Sequence, residues 1–159
     1  MPLSTHGIAI QILASIHAYH THRDRCTTND CKVVVSHLVR KFSEPLTRQR
    51  QQKRLLSKAV ARGDADNTCQ EHAVPVIVLV EKFLERKDSQ LEITSKNIEE
   101  IETLLRESLL LVEVTYRENL RLSACGLQSS MPLGWSKKGS SLPIDPLARY
   151  KEAEIEIDI

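Results

Sequence analysis

Apolar residues in this sequence recur mainly at steps of three and four, and that spacing commits most of the chain to helices. Ile98, Ile101, Leu104, Leu105 and Leu109 form one stripe of an α-helix that starts at Ser95 or Asn97. Ile8, Ile12, Ile16 and Tyr19 form another, with Thr5 as candidate cap. A second helix is expected from Thr28 or Asn29 to about Phe42, with Val34, Leu38 and Val39 on one side, although Val33 to Val35 would also suit a short strand. Glu44-Pro45 reads as the opening of a third helix, since a first turn has no use for the N–H that proline lacks. It would continue through Leu46, Leu55, Leu56 and Val60 to a stop at Gly63. Asp64 to Gln70 reads as a loop. After Pro75 a fourth helix, Val76 to about Lys87, is almost wholly apolar in its first two turns and is expected in the core.

Strand signals are fewer. Leu110 to Val114 reads as one strand, and the alternation of acid with isoleucine from Glu154 to Ile159 has the period of an edge strand with one buried face. Between them Thr115 and Glu118 make a T-x-x-E capping box for a short helix ending near Gly126. The expected class is mainly α with a minor β component (α+β), with about five to six helices and one or two short strands. Residues 1–128 would form a helical core domain, and 129–159 a C-terminal arm with an acidic tail. Within the arm, Trp135 and Tyr150 should pack onto the domain with Arg149 pairing an acid. The same residue types also suit a partner-binding segment.

Aromatic residues are 4% of the chain against 41% hydrophobic, so the core must rest on Leu, Ile and Val. The apolar run Ala73 to Val80 is far shorter than the roughly 20 residues of a spanning helix. No basic region precedes Gly7 to Ile16, as a signal peptide would require. A cytoplasmic protein is therefore expected, with Cys26, Cys31, Cys69 and Cys125 reduced.

The net charge of +1 conceals a division. Up to Gly63 there are 11 Lys and Arg against 3 Asp and Glu; from Asp64 onward there are 11 against 18. The basic side is concentrated between Arg40 and Arg62, where Arg48, Arg50, Lys53, Arg54, Lys58 and Arg62 fall on the expected third helix. Arg50, Arg54, Lys58 and Arg62 step by four and would form one ridge. Such a ridge suits the phosphates of DNA or RNA, where each neutralised charge releases counterions. Its alternative is a solvated face answered by the acidic second half, either the Glu-rich helix Glu99 to Glu107 or the tail, and the alternating tail from Glu154 could also compete with phosphate as an autoinhibitor.

Glu71-His72 precedes a short apolar stretch and Pro75. A histidine there can serve as general base, with the acid orienting it or helping to hold a divalent ion. These residues resemble the first element of the HNH, or His-Me finger, nucleases. The resemblance implies His72 as base, Glu71 as a metal ligand and Asn119 as the residue orienting the histidine. No histidine follows His72, so the family's last ligand would have to come from Glu118 or Gln128. The plainer account has Glu71 facing the positive end of the helix after Pro75. His17, His20, His22, Cys26 and Cys31, with Cys69 and His72, also offer zinc-ligand chemistry, but without the paired C-x-x-C spacing of a structural site. Three readings follow: a nucleic-acid-binding protein, a metal-dependent nuclease, and a regulatory module that binds another polypeptide or a second copy of itself.

Overall fold

Ser4 accepts the Gly7 N–H on its Oγ at 3.0 Å and opens helix α1 (Thr5–Thr21). The cap lies one residue before Thr5 because Ser4 has the extended backbone that an N-cap needs. Ile8, Ile12, Leu13 and Ile16 are buried along its inner face. The computed structural model describes residues 3–48, 54–63, 67–136 and 143–159, and of residues 45–48 only the backbone. Helix α2 (Thr28–Arg48) is opened by Thr27, whose Oγ1 accepts the Asp30 N–H while the Asp30 carboxylate accepts the Thr27 N–H and hydroxyl. It passes through Pro45 instead of breaking at Glu44-Pro45 as expected. Pro45 falls in its last turn, so the helix extends only three residues past the ring.

The chain divides into two compact units, Met1–Gln51 with Leu79–Arg106, and Gln52–Val78 with Glu107–Ile159. Two of the three chain crossings between them lie inside helices α4 (Val76–Leu84) and α5 (Ser95–Ser108). In the first unit α1 and α2 pack together, and Val35, Leu38, Val39 and Phe42 of α2 are buried. Leu79, Val80 and Phe83 of α4, with Ile98, Ile101, Leu104 and Leu105 of α5, are buried there as the helical stripes require. A 3-10 turn, Asp88–Leu91, joins these helices, and Asn97 Nδ2 fastens it by donating to the carbonyls of Ser89 and Glu92.

The second unit is built on a four-stranded sheet. Its strands are β1 (Leu55–Ser57), β2 (Thr68–His72), β3 (Leu111–Thr115) and β4 (Ile157–Asp158), in the order β2-β3-β1-β4. β1 and β3 are parallel; the other two pairings are antiparallel. Three short helices complete it: α3 (Lys58–Ala61), α6 (Tyr116–Ala124) and α7 (Ala148–Glu152). The Thr115–Glu118 capping box forms as read, with Glu118 N–H to Thr115 Oγ1 at 3.1 Å and Thr115 N–H to Glu118 Oε2 at 2.8 Å. Val112 and Val114 of β3, Leu122 of α6, and Leu147, Tyr150, Ala153 and Ile155 make the core of this unit. Residues 143–159 thus supply part of its interior as well as β4.

Seven α-helices and four strands among the described residues make the protein mainly helical with a small sheet. None of the described helices is long and apolar enough to cross a membrane.

Two segments differ from the sequence-based expectation. β1 replaces the middle of the expected third helix, because Leu55 and Leu56 pair with Val112 and Glu113 of β3. β2 replaces the end of the expected 64–70 loop, its polar residues held in register by β3.

Candidate functional site

Strand alternation decides where Glu71 and His72 go. Glu71 lies opposite Val112, which lies opposite Leu55 across the next strand, so the carboxylate shares the face that packs onto the core. His72 lies opposite Leu111 and takes the other face. Under Glu71 sits Arg149 of α7, whose side chain is 2% exposed. Its Nη2 donates to Glu71 Oε2 at 2.7 Å, to the His72 carbonyl at 2.7 Å and to the Tyr150 hydroxyl at 3.0 Å. Nε reaches the Ala73 carbonyl at 2.9 Å, and Nη1 the carbonyls of Leu127 and Gln128 at 3.1 and 3.2 Å. A buried guanidinium is stable only when paired and fully hydrogen-bonded, and this one is both. Burial beside it pushes the Tyr150 hydroxyl up to about 12.

This cluster joins β2, α7 and the segment after α6, and it engages the one carboxylate that the metal reading assigned. Glu71, the expected metal ligand, is ion-paired to Arg149. Asn119 Oδ1, the expected partner of the His72 ring, is buried without a hydrogen bond. Among the described residues no group of three or more His, Cys, Asp or Glu is placed to hold a metal ion. The zinc reading of the first unit meets the same finding. His17 Nδ1 and His20 Nε2 donate to the carbonyls of Leu91 and Leu84, and all four cysteines are free. Cys31 donates to the Ser15 carbonyl, and burial pushes its thiol up to about 11.

The helical ridge Arg50, Arg54, Lys58, Arg62 is not formed. Arg54 precedes a strand, Lys58 opens a four-residue helix and Arg62 is its C-cap, so no continuous helix places them on one face. Arg50 and Lys53 lie outside the described residues, as does the side chain of Arg48 at the end of α2. The charges that are described meet acids from later in the chain. Arg54 binds Glu113 of β3, whose carboxyl is held below the ordinary range first by the Thr68 hydroxyl and then by Arg54. Lys58 binds Glu156, whose carboxyl is lowered by that hydrogen bond and by the charges of Lys58 and Arg62. Glu113 was not singled out from sequence, whereas Glu156 belongs to the tail set against the basic segment there. The opposition of a basic first part and an acidic second part was the signal that pointed to such pairs.

A third feature lies at β4, the end of the sheet. Lys58 N–H donates to the Glu156 carbonyl at 2.8 Å, and Ser57 lies opposite Ile157. Ser57–Ile157 is therefore the non-hydrogen-bonded kind of antiparallel pair, and the N–H and C=O of Ile157 point away from β1. Among the described residues no strand pairs with that outer edge. Leu147, Ile155, Ile157 and Ile159 line an adjoining groove of about 420 Å³, together with Lys58, Lys151, Glu154 and Glu156. Ile159 is 89% exposed.

No family model, no curated protein and no solved structure matches the chain.

Proposed function

We propose that the second unit is a docking module for another polypeptide, which adds an extended segment to the outer edge of β4. The observation that carries this reading is the outward-facing N–H and C=O of Ile157 beside an apolar groove. A strand laid there gains main-chain hydrogen bonds for affinity and a groove for alternate side chains, the two elements of recognition by strand addition. An open edge is otherwise a liability that proteins blunt or cover. Two further observations favour binding over catalysis. Arg149 occupies the carboxylate that metal chemistry would use, and Arg54 and Lys58 are paired with Glu113 and Glu156.

The test is selection of displayed random peptides on the full chain, repeated on Ile157→Pro. Proline at 157 removes an N–H that points away from β1, a position edge strands tolerate, and cuts back the Ile157 side chain at the groove. Selected peptides should bind the unaltered chain and lose about tenfold or more in affinity on the variant, the worth of one net hydrogen bond together with the lost apolar contact. Peptides that bind both equally would overturn the reading. So would selection yielding nothing while the chain binds DNA or RNA in a steeply salt-dependent manner, which would return the basic segment to first place.

A further inference from the structure

Resting on that reading, we infer that the segment docked on β4 alternates basic with apolar residues and belongs to a different protein. Side chains alternate along β4, so Ile157 packs toward the core and the groove while Asp158 takes the other face, and Glu156, just before the strand, reaches the groove border beside Lys58. A strand added to the edge places its own side chains directly across from these, face for face. Across from Ile157 it must present an apolar side chain that covers the groove and the exposed Ile159. Its residues on either side face the acids.

Charge then selects the partner. The segment from Glu152 to Ile159 carries Glu152, Glu154, Glu156 and Asp158 and no base. Of these only Glu156 has an ion pair among the described residues, with Lys58. Opposite charges across a strand pair stabilise it and like charges oppose it. Lysine or arginine flanking the apolar position is therefore favoured, and acids there are rejected. The same rule disfavours a second copy of this chain. An antiparallel pair of β4 strands centred on Ile157 would set Glu156 against Asp158 twice.

The experiment measures binding of three labelled peptides of one length to the full chain by fluorescence anisotropy. One alternates lysine with valine, one alternates glutamate with valine, and one has the composition of the first with its lysines grouped together. The first should bind about tenfold tighter than either of the others, from two reversed charge pairs and from lost alternation. Its binding should weaken about tenfold or more in Ile157→Pro, and the preference should turn toward the glutamate peptide in a Glu154→Lys, Asp158→Lys double variant. Equal binding of the lysine and glutamate peptides, weakened in Ile157→Pro, would overturn the charge rule and leave the docking reading standing. Binding of the lysine peptide that is unchanged in Ile157→Pro, or is matched by the grouped peptide, would overturn both. Binding of none of the three overturns the inference, and the peptide selection then decides the docking reading separately. Self-association of the chain that is abolished by Ile157→Pro would put a second copy on the edge and overturn the inference.

Discussion

Replacing Arg149 with methionine keeps the approximate length of the side chain and removes every donor it supplies. The carbonyls of His72, Ala73, Leu127 and Gln128 lose their contact with the guanidinium, and Glu71, 17% exposed, is left as a charge without its partner. Breaking a buried ion pair from one side costs about 3–5 kcal/mol, and each stranded polar group costs about 1–3 kcal/mol before water enters to relieve it. A loss of about 4 kcal/mol is expected, a large share of the roughly 5–15 kcal/mol that holds a domain folded. In a unit of roughly 80 residues this lowers Tm by about 15 °C or more. Urea and thermal unfolding followed by circular dichroism measure it directly. The double variant Arg149→Met, Glu71→Leu should recover about 1–2 kcal/mol, because no buried charge is then left alone. A loss below about 1 kcal/mol for Arg149→Met would refute the role given to this cluster.

Four other outcomes are expected. Thr115→Ala should cost about 1 kcal/mol through the α6 capping box, read as a lower urea midpoint at unchanged slope. The depressed carboxyl of Glu113 contributes stability that is complete above its ordinary value of 4.5 and is lost as pH falls through its lower folded value. Glu113→Gln should therefore lose less stability on acidification than the unaltered chain; an identical acid limb would count against the Thr68–Glu113–Arg54 contact. Ile157→Pro should cost about 1–2 kcal/mol, from the partly buried Ile157 side chain packed on the core, while the bonds of β4 to β1 through Glu156 and Asp158 remain. Exposed Cys125 should react with a thiol reagent at neutral pH while buried Cys31 reacts only on unfolding, and mass spectrometry of the labelled sites would show otherwise if Cys31 were alkylated as fast.

The helical stripes were legible because their information is local. Ile98 through Leu109 and Ile8 through Ile16 repeat at the spacing of one helix face, and both are buried. The capping box at Thr115, the strand after Leu110 and the edge character of the isoleucine-acid alternation are equally short-range patterns, and all three are present. Of the candidate sites, the sequence correctly paired Arg149 with an acid but could not name Glu71.

What the sequence determined by itself is the helical class, the opening of α1 and the capping box of α6, and the separation of basic from acidic chain. Tertiary structure alone decided how that separation is used. Leu55-Leu56 suits a helix or a strand equally well, and only the distant β3 makes it extended, which breaks the expected ridge. Thr68 to His72 has no strand pattern of its own and is a strand because β3 completes its hydrogen bonds. Pairing across that sheet sets Glu71 against Arg149, brings Glu113 and Glu156 to Arg54 and Lys58, and turns the main chain of Ile157 outward. Each of these follows from register between segments far apart in the chain. Local periodicity carries no record of register.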